Sequence, residues 1–216
     1  MSGGQRRVLT LGNSSGSKGG RVLVLVAGLL GLGALSEPAE RRADASVRFV
    51  LAHYDQFDET DAGLGADVSY RLADWIAADA QLSFFPDELG EPVAFSGSRL
   101  EGLIGLRVGH RFGNAGLYGA LRPGVVKFSE APAPRPCILI FPPPLECSLA
   151  GGKSLLALNY GAGFELHPGD RAVIRAEVGD LMIRYSGPAF DKDREIFADH
   201  LWSHNLRATA SFGIRF

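Results

Sequence analysis

Residues 202–216, WSHNLRATASFGIRF, decide the fold, because they sort cleanly into two faces when every second residue is taken. Trp202, His204, Leu206, Ala208, Ala210, Phe212, Ile214 and Phe216 fall on one face. Ser203, Asn205, Arg207, Thr209, Ser211, Gly213 and Arg215 fall on the other. A period of two is the strand period. One face is nearly all apolar; the other is polar, small or cationic.

The pattern recurs toward the N-terminus. Leu64–Leu72, Ile76–Phe84, Leu100–Phe112 and Leu156–Leu166 alternate in the same way, and 116–128 and 171–185 fit as well. The last of these changes phase near Gly179 and Asp180, which reads as a β-bulge. Residues 46–54 give a weaker first strand. The sum is about eight strands, an all-β chain that predicts an eight-stranded antiparallel up-and-down β-barrel over 46–216.

The chemistry of the faces indicates which one points outward. The polar face carries Asp67, Arg71, Asp79, Glu101, Arg107, Arg111, Arg122, Glu165, Arg175, Glu177, Arg207 and Arg215, interleaved with glycines. Small residues beside long charges of both signs suit a narrow interior, where unpaired charge is costly. The apolar face is free of charge over most of each strand, with aromatics near its ends, as on a lipid-facing barrel wall. Connections agree with this. Those near Ala73–Asp74, Gly113–Asn114 and His167–Asp170 are short, whereas 55–62, 86–97, 129–152 and 186–201 are longer. Short and long alternate, so they segregate to opposite ends of a meander, as in transmembrane barrels. Strands of about ten residues match a bilayer, and closure satisfies the backbone in lipid.

The N-terminus carries an address. Lys18 and Arg21 precede the apolar run Val22–Leu35, followed by Ser36, so 1–36 reads as a secretory signal peptide. Ala34 and Ser36 offer one cleavage site, and Ala43 and Ala45 a later one, so cleavage could fall as late as 45. An uncleaved anchor is the competing reading, though the run is short for a helical span. Export makes a disulfide between Cys137 and Cys147 reasonable, with two free thiols as the alternative. That ring would present Ile138, Leu139, Ile140 and Phe141 within EAPAPRPCILIFPPPLEC, residues 130–147; an apolar tip of this kind marks a contact site or folds against other loops. The charged run Asp191–Glu195 reads as solvated loop.

Composition excludes several functions. A formal net charge of -2 offers no basic excess for nucleic acid. Neither the histidines nor the cysteines have metal-ligand spacing. GLIGLRVG lies within a strand and lacks the P-loop lysine. Ser203 and His204 are neighbours on a strand and point to opposite faces, so they do not make a nucleophile–base pair. No catalytic, cofactor or metal site is expected.

The ending SFGIRF resembles the C-terminal aromatic signature of outer-membrane barrels. Residues 65–86, 102–129 and 157–168 (GADVSYRLADWIAADAQLSFFP, GLIGLRVGHRFGNAGLYGALRPGVVKFS and ALNYGAGFELHP) likewise resemble the small outer-membrane barrel proteins of the OmpA/OmpX-like type. The resemblance implies an outer-membrane location and lipid as solvent. It also implies that the barrel-assembly machinery reads Phe212, Ile214 and Phe216. The peptidoglycan-binding domain of two-domain OmpA proteins has no counterpart in these residues. The expected role is non-catalytic, structural or surface-interacting through the long loops, with a lumen plugged by charge; a narrow porin-like channel is the alternative, and a lipid-modifying enzyme a remote one.

Overall fold

The computed structural model describes residues 42–86, 97–131, 137, 145–191 and 196–216. Within them run β1 (Ala43–Tyr54), β2 (Glu59–Ala73), β3 (Ile76–Phe85), β4 (Arg99–Phe112), β5 (Ala115–Glu130), the helical turn α1 (Leu145–Ala150), β6 (Gly151–Leu166), β7 (Ala172–Asp191), β8 (Ile196–Ser203) and β9 (Asn205–Arg215). From β1 to β8 each strand pairs antiparallel with the next in sequence, and β1 pairs with β9, closing the sheet. Both β8 and β9 pair with β7. They are two segments of one stave interrupted at His204, so the chain is a closed barrel of eight staves. The break is bridged by a side chain: Asn205 N–H donates to Asp180 Oδ1 at 2.7 Å.

Burial places the faces as alternation alone could not. Ile104 is 70% exposed, whereas Glu101 is fully buried. Val47, Leu64, Leu117, Leu156 and Leu206 also stand outward, while Asp67, Asp79, Arg122 and Arg207 are buried within. A water-soluble barrel has the opposite arrangement. A polar interior and apolar exterior on a closed meander describe a transmembrane barrel of the small outer-membrane type. Trp75, Phe112 and Phe216 ring the end with the short turns, where Ala43 N–H and Phe216 N–H each donate to the other's carbonyl.

Three expectations need correction. The β6–β7 ladder runs unbroken from Leu166↔Ile174 to Leu156↔Arg184, so no bulge lies at Gly179–Asp180. What changes there is the chemistry of the faces: Leu181, Ile183 and Tyr185 point inward and are fully buried, while Arg184 stands outward. Residues 55–62 are not a loop. β1 and β2 continue as a hairpin to the turn 55–58, with Tyr54 opposite Glu59. Residues 186–191 and 196–201 likewise belong to β7 and β8, with a register shift between Ser186 and Ala189. The apolar alternation fades where a strand leaves lipid, but the hydrogen-bond ladder does not stop there. The signal segment 1–36, the tip Ile138–Phe141 and the charged residues 192–195 lie outside the described residues; Ala43 and Ala45, the later cleavage site, lie in β1 opposite Tyr70 and Val68.

Glycines on the inner face make room for large neighbours. A Cβ at Gly163 would come within 2.6 Å of both the Tyr118 hydroxyl and the Ala176 carbonyl. One at Gly105 would lie 2.6 Å from Arg122 Cα and 2.9 Å from its Cγ. Gly105→Ala is therefore expected to lower stability by about 1–3 kcal/mol, the usual cost of overpacking. Urea unfolding of the folded barrel in detergent measures it; an unchanged midpoint would refute the close approach of β4 and β5.

Candidate functional site

The lumen is the place where the chain's polar chemistry converges. Alternate residues of every stave point into it, and strand order decides which charges meet. Arg122 of β5 is the hub. Its Nη1 and Nη2 grip both oxygens of Glu177 on β7 at 2.5 and 2.8 Å, and its Nε donates to Asp79 Oδ2 on β3 at 2.8 Å. Nη1 also reaches Asn159 Oδ1 at 2.9 Å. Two-pronged carboxylate recognition is what the planar guanidinium provides and lysine does not.

Toward the short-turn end, Arg175 donates to Asp44 at 2.7 Å and to Asp67 and Glu165 at 3.3 Å each. Ser46 adds a bond to Asp67 at 2.6 Å. Arg107 lies within 3.7 Å of both Asp79 and Glu165, with its guanidinium 5.2 Å from the centre of the Tyr118 ring. Arg111 reaches Glu165 at 3.2 Å. Beyond β6, burial in the turn pushes His167 down to about 4, against the opposing pull of Glu165 at 3.5 Å. Arg42, Arg71, Arg111 and Arg215 line a cavity of about 60 Å³ at this mouth, together with Asp44 and Glu165.

Toward the long-loop end the character changes. Arg207 pairs with Glu101 at 3.0 Å, and Tyr54 donates to Glu101 at 3.0 Å. Arg99 pairs with Asp61 and stacks 4.1 Å over the Tyr54 ring. Above them lies an apolar cluster that includes Phe85, Leu103, Phe128, Leu155, Leu181, Ile183 and Tyr185. α1 belongs to it: Leu145 and Leu149 are buried there. Cys147, between those two leucines, forms a disulfide with Cys137, their Cα atoms 5.6 Å apart.

All twelve charges read from the sequence face the lumen, although Arg71, Arg111, Glu165 and Arg215 are only partly buried, at its mouth. The sequence reading missed Asp44, Arg48, Asp61 and Arg99. Asp44 precedes the range assigned to the first strand, Asp61 sat in a supposed loop, and Arg99 stood at a strand end. Arg48 lies in 46–54, where the weak alternation does not sort the two faces. Ser203 points inward and donates to Asn205 Oδ1 at 3.3 Å, whereas His204 stands outward with Nδ1 2.5 Å from Asp180 Oδ2. Tyr160 also donates to that oxygen, at 2.7 Å. Asp180 thereby fastens the strand break, and no serine completes a nucleophile–base pair with His204 among the bonds of the described residues. Those residues also hold no cluster of three or more metal-ligating side chains.

Removing one member of the hub exposes the other as an uncompensated buried charge. Arg122→Met is expected to cost about 3–5 kcal/mol, whereas Arg122→Met with Glu177→Met should recover most of that loss. A double-mutant cycle on urea midpoints checks it; additive losses would show that the two residues do not form a unit.

Comparison with known proteins finds no matching family model and no match among curated proteins. Among solved structures the chain is similar to Ail, the attachment invasion locus protein of Yersinia pestis, at 18% identity over 81% of this chain and 97% of that one, TM-score 0.45. It is similar to the outer membrane protein OprG of Pseudomonas aeruginosa at 14% identity over 82% and 98%, TM-score 0.49. Neisserial surface protein A is matched at 11% identity over 81% and 96%, TM-score 0.48. At these levels the similarities say nothing of function.

Proposed function

We propose that the protein is a non-catalytic outer-membrane barrel whose lumen is sealed and whose role lies in the envelope or at the cell surface, through its long-loop end. The observation that carries this reading is the double filling of the interior. An arginine–carboxylate lattice from Asp44 to Glu101 occupies the lipid-embedded part, and the apolar cluster around Leu149 and Tyr185 occupies the long-loop part. Hydrated ions are opposed first by cross-lumen ion pairs and then by a dry plug. An eight-stranded barrel has room for little more than its own side chains.

In this reading outer-membrane lipid surrounds the outward face. The barrel-assembly machinery engages the last stave, where Phe212, Ile214 and Phe216 all stand exposed on the outer face. The disulfide-tied connection between β5 and β6 is the segment offered to an extracellular partner. A narrow channel is the second reading, favoured by the arginine-lined cavity at the short-turn mouth.

Protein that has inserted into planar bilayers, with β-type circular dichroism and a heat-modifiable gel shift as proof of folding, is expected to give no sustained single-channel current. A reproducible conductance would overturn the sealed lumen in favour of the channel. Monomeric solubility in buffer without detergent would overturn the membrane reading altogether.

A further inference from the structure

The short-turn mouth gathers positive charge from several parts of the wall. Its cavity of about 60 Å³ is lined by Arg42, Arg71, Arg107, Arg111 and Arg215, against three carboxylates, Asp44, Asp74 and Glu165. The arginines come from the residue before β1, from β2, twice from β4 and from the end of β9. Arg107, four residues deeper on β4 than Arg111, is buried; Arg71, Arg111 and Arg215 are half-buried, and Arg42 is exposed. The lining is a bowl with a buried floor and a wet rim.

The ladders hold like charges together here. Arg71 N–H donates to the Arg42 carbonyl at 2.7 Å, one step beyond the pair Ala43↔Tyr70. Residues directly opposite in an antiparallel pair have Cβ atoms about 5 Å apart, and like charges so placed repel. Arg215 lies opposite Asp44 across the other edge of β1. Asp44 is engaged from deeper in the lumen, by Arg175 at 2.7 Å. Arg175 also reaches Glu165 at 3.3 Å, so that carboxylate is divided among Arg175, Arg107 and Arg111. Asp74 stands exposed in the turn between β2 and β3. The two inner carboxylates are thus shared with the lattice, and Arg215 takes part in no ion pair among the described residues.

An open bowl with guanidiniums in excess over carboxylates suits an anion. Phosphoryl oxygens project in several directions, so donors on several staves can meet them at once, and each planar guanidinium offers them paired N–H groups. The cavity has room for several waters or for one such group. Trp75, in the turn between β2 and β3, lines the same cavity and is 59% exposed. An exposed tryptophan at the end of a membrane barrel marks the headgroup level. We propose that the short-turn mouth is a phosphoryl-binding site, in which Arg71, Arg111 and Arg215 take the oxygens of a phosphate group and Arg107 supports them from the floor. A phospholipid headgroup of the adjoining leaflet and free phosphate in the water at the mouth carry the same chemistry. The site lies at the end opposite the long loops, so it is independent of any partner there and of whether the lumen conducts.

Trp75 is the reporter. The chain has two tryptophans, so Trp202→Phe leaves Trp75 alone, and Trp75→Phe leaves only Trp202, on β8 toward the long-loop end. Each full-length variant, folded in a neutral detergent, is titrated with sodium phosphate and separately with dihexanoyl phosphatidylglycerol, ionic strength being held constant with sodium chloride. A saturable change in Trp75 fluorescence is expected, with Trp202 unchanged. A response to the lipid alone identifies the headgroup as the source, and a response to inorganic phosphate identifies the free anion; either supports the site. In the Trp75-only chain, Arg71→Gln with Arg215→Gln should weaken binding by at least about tenfold, since hydrogen bonds to charged groups are lost. Lys127→Gln, on the outer face, should leave it unchanged. The two tryptophan variants keep every arginine, so the titration stands even where the double arginine variant does not fold. No saturable change with either probe would overturn the proposal. So would an equal change with dihexanoylglycerol, which lacks the phosphate, an equal response at Trp202, or binding that the double arginine variant retains in full.

Discussion

The eleven-residue ladder between β1 and β9, from Asp44↔Arg215 to Tyr54↔Asn205, is the contact on which the rest depends. In lipid no water is available for a free N–H or C=O, so a sheet with an edge is not a stable membrane structure. Closure removes the edge, and it also creates an enclosed space. Every charge on the inner face must then find its partner across that space. Arg175 of β7 reaches Asp44 of β1, and Arg122 of β5 reaches Asp79 of β3, because the sheet has curled back on itself. The ionic lattice is a consequence of closure, and it in turn braces the closed form.

Each stave meets two solvents along its length, and the inner face answers to the outer one. Where the wall faces lipid, apolar side chains have a place outside, and the inside holds arginines and carboxylates. Where the wall rises beyond lipid, the outside becomes polar, as at His53, Lys127 and Arg184. The inside becomes an ordinary apolar core of Val50, Val126, Phe128 and Ile183. The chain thus carries an inverted barrel and a conventional one on the same staves. β7 shows the junction most plainly: Glu177 and Leu181 lie on the same inner face, with Gly179 between them.

This junction also marks the limit of what the sequence revealed. Strand period, stave count, the short turns and most inner charges of β2 to β9 were legible because lipid imposes a strict alternation on the lower half of each stave. Above the boundary the alternation is of a different kind. Leu181, Ile183 and Tyr185 imitated a phase slip, and the ladders opposite Glu59 and Ile196 passed for loops, since hydrogen bonding leaves no mark on side-chain pattern. The pairings across the lumen were illegible for another reason. Which arginine meets which carboxylate depends on stagger and on the space glycines leave, and neither is local.

In the proposed reading, the upper apolar cluster ties sealing to display. Leu145 and Leu149 of α1 are buried in the apolar cluster, and Cys147 between them is bonded to Cys137 in the same connection. The segment that would be offered to partners is therefore fastened, within six helical residues, to the segment that fills the barrel. Inner positions of α1 must remain apolar to stay buried. A binding surface mounted this way gains rigidity from the core beneath it, which lowers the ordering cost of association. A partner that pulled α1 outward would have to expose the apolar faces of Leu149 and Tyr185. In the proposed reading the contacts that hold α1 in place oppose opening of the lumen, so a barrel built in this way favours contact over passage.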